Sequence, residues 1–417
     1  MGTPLRQTPR KAFGVLALLL AAPGCSSLWQ LRSEHREIAS LRAASAPQDP
    51  SQELVPLRCV FHVHSKYSHD SEGRIEDIAR AAKRNGIAAV FLTDHTNPRI
   101  FTDCPSGWID GVWFVRGEEI SIKGSLLGLG TRSCIGKTTQ SPQAIVDEIE
   151  AQGGLCCVSH LERTDPYKIH GYEAVGIHNL HADAQRVPLL DYPGILLDVL
   201  FYRHRYGPEL VLRDVLRAPR KQLRTWDKLL QTRRVTAISE ADAHENLRVL
   251  GMQIDPYELI LGVEHTYLMV PREWTQADLL DAIRQGRAYV GLTMVADPRG
   301  FSFALARDGW PAGSIGDEVT FEAGLTAVVR CPAPGRIVIL RDGKPIATAR
   351  GRELAAPCSA AGVYRAEVWV KVGGRELPWI LANPIYVRAP DPDGLASNGA
   401  VGPRAAQREP ARDSASR

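Results

Sequence analysis

The sequence has little net charge, which limits the kinds of partner it can bind. Its 417 residues include 50 lysines and arginines against 47 aspartates and glutamates. The surplus lies in the first 24 residues, which hold Arg6, Arg10 and Lys11 and no acid, so the rest of the chain has 47 basic side chains against 47 acidic ones. A protein that grips nucleic acid shows a basic excess. We therefore expect no nucleic acid partner.

The N-terminal apolar run is too short to cross a membrane. It extends from Ala12 to Ala22, whereas a membrane-spanning helix needs about 20 apolar residues. A basic stretch followed by this run predicts an export signal over residues 1–24. The small residue before Cys25 resembles a bacterial lipobox, which predicts a lipidated cysteine that anchors the chain to the cell envelope. By analogy with such lipoproteins, Ser26 and Ser27 favour the periplasmic side of the outer membrane. An ordinary secretory signal with an incidental cysteine is the alternative.

Two familiar arrangements of reactive residues are missing. No Cys-x-x-Cys pair is present, which excludes a zinc-ribbon or thioredoxin-like site. The sequence also has no Gly-x-Ser-x-Gly motif, so it gives no support for a serine nucleophile. In an oxidising compartment Cys104–Cys134 and Cys331–Cys358 are candidate disulfides, although spacing does not determine pairing. Cys156 and Cys157 lie in an apolar run and are typical of buried free thiols.

The two ends of the chain have the composition of connecting segments. Residues 25–56 are polar and rich in Ala, Ser, Pro and Gln, which predicts a tether with a short helix around Trp29 to Leu41. Residues 389–417 have almost nothing to bury, and we expect them to be disordered.

Between these ends, apolar strand-like runs alternate with helical patterns. Arg74 to Arg84 has helical spacing, and Ser141-Pro142 provides an N-cap and a first-turn proline for the next helix. Lys221 to Thr232 is helical as well. Such alternation implies a parallel sheet or barrel, whose chemistry lies at the carboxyl ends of the strands.

Six predicted strands end in side chains that can bind metal. These strands are Leu57–Phe61, Ile87–Leu92, Val112–Val115, Leu155–Val158, Ala174–Ile177 and Val235–Ile238. Any single strand-end histidine or acid has an ordinary structural explanation, as a cap or a satisfied polar group. Six at equivalent positions indicate a metal centre. Imidazole suits zinc, manganese and iron, and a carboxylate can bridge two ions.

The motifs FHVHSKYSHDSEG, VFLTDHTN, VRGEEIS, CVSHLER and ISEADAH, in this order, resemble the PHP (polymerase and histidinol phosphatase) metallohydrolases. The resemblance covers Leu57 to Val290 and implies a distorted (β/α)7 barrel, here residues 57–295, with two or three divalent ions. It implies that Glu119 bridges two of them. The implied metal ligands are His62, His64, Asp70, His95, Glu119, His160, His178, Asp242 and His244.

Three of these assignments have an alternative in the sequence. Glu118 stands next to Glu119, His69 next to Asp70, and the fifth-strand histidine is either His178 or His181. The resemblance implies catalytic roles for Glu119 and His160. Asp94 is expected to be an acid behind the ligands or a general acid/base, with loop-holding as the alternative.

The end of the chain resembles one branch of this family. RQGRAYVGL and LANPIYV are similar to segments of the branch that includes a carbaryl-hydrolysing enzyme. The resemblance implies a small all-β, immunoglobulin-like sandwich over residues 296–388. Within it, Asp342-Gly343 between alternating runs predicts a hairpin turn.

We therefore expect a metal-dependent phosphoesterase that uses a hydroxide activated by two or three divalent ions on a small-molecule phosphate ester. Lys66, Arg163 and the Arg203-His204-Arg205 cluster are candidates to receive the phosphate, with solvated surface charge as the alternative for the cluster. Hydrolysis of a carbamate, amide or carboxylic ester is the second function that the same ligands allow. An alternative of a different class is a non-catalytic, metal-stabilised binding lipoprotein of the cell envelope.

Overall fold

The computed structural model describes residues 24–45, 53–136, 141–188, 191, 193–195, 198, 212–249 and 251–390. The predicted export signal up to residue 23, the Arg203-His204-Arg205 cluster and the predicted tail from residue 391 lie outside these residues. Within them, no helix combines the length and the apolar character needed to span a bilayer.

The helices are α1 (Gly24–Ala44), α2 (Ile75–Arg84), α3 (Arg99–Thr102), α4 (Pro142–Ala151), α5 (Leu180–Ala184), α6 (Arg220–Leu229), α7 (Tyr257–Ile260) and α8 (Gln276–Gln285). The first fourteen strands are β1 (Leu54–Val63), β2 (Ala89–Leu92), β3 (Asp94–His95), β4 (Gly107–Ile109), β5 (Val112–Val115), β6 (Gly117–Ile122), β7 (Gly124–Leu129), β8 (Leu155–Ser159), β9 (Ala174–Asn179), β10 (Thr236–Glu240), β11 (Arg248–Val249), β12 (Met252–Gln253), β13 (His265–Pro271) and β14 (Ala288–Gly291).

The remaining strands are β15 (Ser302–Arg307), β16 (Trp310–Ser314), β17 (Glu318–Thr320), β18 (Leu325–Arg341), β19 (Lys344–Pro357), β20 (Gly362–Val372), β21 (Arg375–Ala382) and β22 (Ile385–Arg388). A mixed α/β architecture with large sheets results, as the alternating pattern predicts.

Local sequence signals account for helix α4. The Ser141 side chain accepts a hydrogen bond from the backbone N–H of Ala144, and Pro142 occupies the first turn. Ile145, Val146 and Ile149 form its buried face. The predicted N-cap, first-turn proline and apolar face are confirmed.

The strands that carry the predicted ligands form a hydrogen-bonded ring. Strand β1 pairs in parallel with β2, β2 with β5, and β3 with β6. Strand β7 is antiparallel to β6 and β8, and parallel pairing resumes from β8 through β9 to β10. The N–H of Ala241 donates to the carbonyl of Phe61 at 2.9 Å and returns the chain to β1. The carboxyl ends of the parallel strands therefore meet at one end of the ring.

Strands from the second half of the chain extend the sheet that contains β1, β13 and β14. Strand β14 pairs with β21, so strands from both halves share hydrogen bonds. Every regular element from residue 296 to 390 is a strand. Asp342 and Gly343 both have positive φ, 52° and 73°, and join β18 to β19 where Arg341 pairs with Lys344. The predicted hairpin turn is confirmed.

Helix α1 lies where the sequence predicts a tether. It is longer than the expected short helix, and it packs against the second half of the chain: Leu31 is 0% exposed and Ile38 is 2% exposed. The N–H of Gly373 donates to the Glu37 carboxylate at 2.9 Å. Two buried apolar side chains and this polar contact fix α1 to the β-strands, so a flexible tether does not describe residues 29–44.

The seven cysteines from Cys59 to Cys358 are free thiols. The structure therefore joins neither Cys104 to Cys134 nor Cys331 to Cys358. Cys156 and Cys157 are buried in strand β8, as the apolar run predicts.

Candidate metal centre

Seven metal-type side chains come together at one end of the strand ring. His62 lies in β1 and His64 directly follows it, while His95 ends β3 beside its register partner Glu119 of β6. His160 directly follows β8, and Asp242 and His244 lie in the segment just beyond the end of β10. Because these strands are parallel, the ring places their ends on the same side.

The side chains form three groups, within each of which the potential ligand atoms lie no more than 4.8 Å apart. The groups are His64, Asp70, His95 and His244; His62, Glu119 and His160; and His62, His64 and Asp242. Every predicted metal ligand except His178 is a member.

Two carboxylates occupy the space between the imidazoles. An oxygen of Glu119 lies 3.2 Å from Nε2 of His62 and 3.4 Å from Nε2 of His64. An oxygen of Asp242 lies 3.4 and 3.5 Å from the same two nitrogens, and its other oxygen lies 3.5 Å from Nε2 of His160. Glu119 and Asp242 therefore each face ligands of more than one group.

The donor set fits divalent metal ions. Nε2 of His62, Nε2 of His64 and Nδ1 of His95 are buried and have no hydrogen-bond partner among the described residues. A buried polar atom without a partner is costly, and metal ions bound by the three groups would satisfy these nitrogens. Hydroxyl groups lie at the opposite ring nitrogens: Ser159 Oγ at 3.3 Å from His62 Nδ1, and Ser68 Oγ at 3.2 Å from His64 Nδ1. Such partners orient histidines that bind metals.

The buried charges shift one another's protonation. Burial raises the pKa of the Asp242 carboxyl, but the imidazoles of His62, His64 and His160 together outweigh burial and hold that pKa well below its usual range. Burial alone lowers the pKa of His62, whereas Asp242 and Glu119 raise it well above its ordinary value. Burial lowers the pKa of His64 to about 4, so His64 is a neutral imidazole with a lone pair to offer at neutral pH.

Three of these residues have a left-handed backbone. The φ angles are 62° at His62, 51° at His160 and 50° at Asp242. Residues other than glycine rarely adopt such angles, and backbone strain of this kind clusters at functional sites. The sequence does not predict this feature, because the identity of a histidine or an aspartate does not specify its φ angle.

The structure favours one member of each adjacent pair of candidates. Asp70 lies 3.1 Å from Nε2 of His95 and 3.3 Å from Nε2 of His244, whereas the side chain of His69 is exposed. Glu119 faces the imidazoles. Glu118 instead accepts a hydrogen bond from the N–H of Ile135 at 2.7 Å, and burial raises its pKa to about 7.

The expected fifth-strand ligand, His178, is not part of the three groups. Its Nδ1 lies 2.7 Å from a Glu264 oxygen and its Nε2 lies 2.9 Å from an Asp183 oxygen. Because both ring nitrogens are held by carboxylates, His178 has none to offer an ion. His181 lines the pocket instead, with its ring centroid 5.4 Å from that of His244.

Asp94 lies behind the ligands. Its carboxylate accepts hydrogen bonds from the N–H of Ser65 at 2.5 Å and from the hydroxyl of Ser65 at 2.8 Å, and burial raises its pKa to about 6. These bonds hold the turn that follows His64. The geometry is that of a positioning residue.

Two residues in the site were not singled out from the sequence. Asn179 donates from Nδ2 to Asp242 at 3.1 Å, and Glu162 lies 2.9 Å from Nδ1 of His160. Each stands one or two residues from a predicted ligand or candidate ligand, and that proximity is the signal that could have found them.

A cavity of about 410 Å³ opens over the ligands. Its lining side chains, besides Gly124, are Asp70, His95, Glu119, Ser121, Ile122, Ser125, His160, Arg163, His181, Gln185, Asp242 and His244. This volume is in the range of small-molecule sites. Ile122 is the one aliphatic side chain in the lining.

The matches to known proteins include one family model and two individual proteins. The PHP domain family model matches residues 61–124, a span that holds His62, His64, Asp70, His95 and Glu119. An uncharacterized protein of Methanocaldococcus jannaschii is 31% identical over 116 residues, which are 25% of this chain and 67% of that protein. The crystal structure of a two-domain protein from Bacteroides vulgatus ATCC 8482, containing a predicted PHP-like metal-dependent phosphoesterase, is 14% identical with a TM-score of 0.37. The match covers 81% of this chain and 97% of that one.

Proposed function

This chain is a PHP-domain protein, and we propose that it is a metal-dependent hydrolase that cleaves a small phosphate ester. The observation that carries the proposal is the set of buried imidazole nitrogens without partners, facing Glu119 and Asp242. Such an arrangement is costly in the protein by itself and suits divalent cations.

The three ligand groups define which residues would hold the ions. His64, Asp70, His95 and His244 form one group, and the other two share His62. Divalent ions lower the pKa of water and offset negative charge on an attacked phosphate. His160 is held through Nδ1 by Glu162, which leaves its Nε2 turned toward Glu119 at 3.7 Å and Asp242 at 3.5 Å.

The lining of the cavity supports a phosphate ester over an aromatic carbamate. An aromatic leaving group needs apolar surface to bury, and Ile122 is the one aliphatic side chain there. Arg163 adds a guanidinium, a group suited to phosphate oxygens. Hydrolysis of a carbamate or carboxylic ester on the same ligands is an outcome that the test below distinguishes.

Rates on four substrates test the proposal. The full chain, loaded with manganese or zinc, is assayed on nitrophenyl phosphate, bis-nitrophenyl phosphate, a nitrophenyl carbamate and nitrophenyl acetate. We expect turnover of a phosphate that a chelator abolishes, and the ratio of monoester to diester rates gives the ester class. Faster chelator-sensitive cleavage of the carbamate or acetate would instead establish the second function. Bound metal without turnover of any substrate would favour a binding protein.

We also propose that the strand ring is the distorted (β/α)7 PHP barrel of residues 57–295, and that residues 296–388 form an immunoglobulin-like sandwich. The return of β10 to β1 supports the first assignment, and the all-strand content supports the second. An experimental structure in which β10 and β1 do not pair would overturn the barrel.

The location is a further proposal: the chain is exported and attached to the outer membrane through a lipidated Cys25. The support is the sequence of residues 1–27. Cells grown with labelled palmitate should label the wild-type chain and not Cys25→Ser, which should leave the membrane fraction. Cys134→Ser is the matched control and should stay labelled. Equal membrane retention of wild type and Cys25→Ser would contradict the anchor.

A further inference from the structure

The cavity has a second wall that the metal ligands do not form. The turn after β8 carries Arg163, whose N–H donates to the carbonyl of His160 at 2.7 Å. This bond closes the turn and keeps the Arg163 backbone near His160, one of the candidate metal ligands. Gln185, which follows α5, lines the cavity beside it.

Arg163 is the one arginine or lysine in the cavity lining. Its guanidinium donates to the amide oxygen of Gln185. Among the ion pairs of the described residues none includes Arg163, so no carboxylate there neutralises its charge. A guanidinium has five N–H donors, and one bond to a neutral amide leaves most of them for a ligand.

Hydrogen bonds that involve Gln185 and His181 set the orientation of this guanidinium. Since the Gln185 oxygen accepts from Arg163, its amide nitrogen faces Nε2 of His181 at 2.8 Å. That nitrogen must donate, so Nε2 of His181 accepts and its proton lies on Nδ1. His181, Gln185 and Arg163 thus form one hydrogen-bonded chain along the wall.

We propose that Arg163, positioned by Gln185 and His181, binds a second anionic group of the substrate, which is therefore a small phosphate ester that also carries a carboxylate or a second phosphate. The inference rests on the proposed function, in which the ligand groups take the first phosphate. A planar guanidinium pairs with either oxyanion through two parallel bonds. Ser121 and Ser125 also line the cavity, and their hydroxyls suit the same polar ligand.

Three matched phosphonates test the inference by binding rather than turnover. Ethylphosphonate has one anionic group, and 3-phosphonopropionate adds a carboxylate; 1,3-propanebisphosphonate adds a second phosphonate. Calorimetry on the metal-loaded full chain, at fixed free metal, should show that at least one two-anion compound binds about 10- to 100-fold more tightly than ethylphosphonate, as expected for a charged hydrogen bond. Whichever compound gains more identifies the second anion.

Substitutions separate the binding residue from its support. Arg163→Met should reduce the gain, measured as the ratio of the two affinities in the same variant, to less than about 3-fold. Arg163→Lys should restore part of it because the charge returns without the planar, two-pronged donor geometry. Gln185→Leu should weaken the gain by releasing the guanidinium. Arg132→Met is the control: this exposed arginine bonds to Gln152 and should leave the gain intact.

The two proposals fail in different ways. A chain that hydrolyses phosphate esters and binds ethylphosphonate, yet shows no gain from a second anion, would overturn the inference and leave the proposed function standing. A gain that persists in Arg163→Met would do the same. A chain that neither binds ethylphosphonate nor cleaves any phosphate would overturn the proposed function.

Discussion

Asparagine in place of Asp242 will reduce turnover by more than about 100-fold and lower the amount of bound metal. Residues that only orient metal ligands cost about 10- to 100-fold when replaced, and Asp242 itself lies among the ligands. Its oxygen is 3.4 Å from Nε2 of His62 and 3.5 Å from Nε2 of His64. The amide of asparagine keeps the shape, removes the negative charge and can place N–H groups against those nitrogens. Metal content by elemental analysis and the rate on the preferred nitrophenyl substrate are measured together.

Asp110→Asn is a matched control for this substitution. Asp110 also has a left-handed backbone, with φ of 48° against 50° at Asp242. Its carboxylate, however, pairs with Lys83 on the surface at 2.7 Å, and an exposed pair of this kind contributes little. Full metal content and activity are expected in the control. Unchanged activity in Asp242→Asn would contradict the assignment of the three ligand groups as the reaction centre.

Alanine in place of Leu31 will lower the free energy of unfolding by about 2–5 kcal/mol, the usual cost of truncating a fully buried leucine. Leu31 is 0% exposed and shares an apolar core with Trp379 and Val368 of the second half. The substitution leaves a cavity between α1 and the strands. Urea unfolding at fixed metal concentration measures the change through the midpoint.

Leu247→Ala provides the comparison for Leu31. Leu247 is 48% exposed, so its truncation should change stability by no more than about 0.5 kcal/mol. Similar costs for the two substitutions would show that α1 is not docked in solution, and the tether expected from the sequence would stand.

The parts of the fold that the sequence predicts correctly depend on local signals. Ser141 and Pro142 predict the start of helix α4, and Asp342-Gly343 predicts the turn between β18 and β19. Each signal acts on its own neighbours, through a side-chain hydrogen bond or a permitted φ angle. The strand-end ligands are readable for the same reason: once the strands are parallel, their ends must meet.

The parts that the sequence does not predict depend on distant partners. His178 looks like a strand-end ligand until Glu264, which is 86 residues away, is placed beside it at 2.7 Å. Helix α1 has the composition of a tether, but its apolar side chains Leu31 and Ile38 pack into a core formed by other elements. No pattern within either segment specifies those partners.

The docking of α1 has a consequence for the order in which the chain acquires its structure. The bond between Gly373 and Glu37 spans 336 residues, and the bond between Arg352 and the carbonyl of Ala44 spans 308. Helix α1 is therefore synthesised long before the strands that form its binding surface. The cost of closing so long a loop is met only when the surface is complete. A chain cut short before β20 would leave α1 undocked, with Leu31 and Ile38 open to proteases.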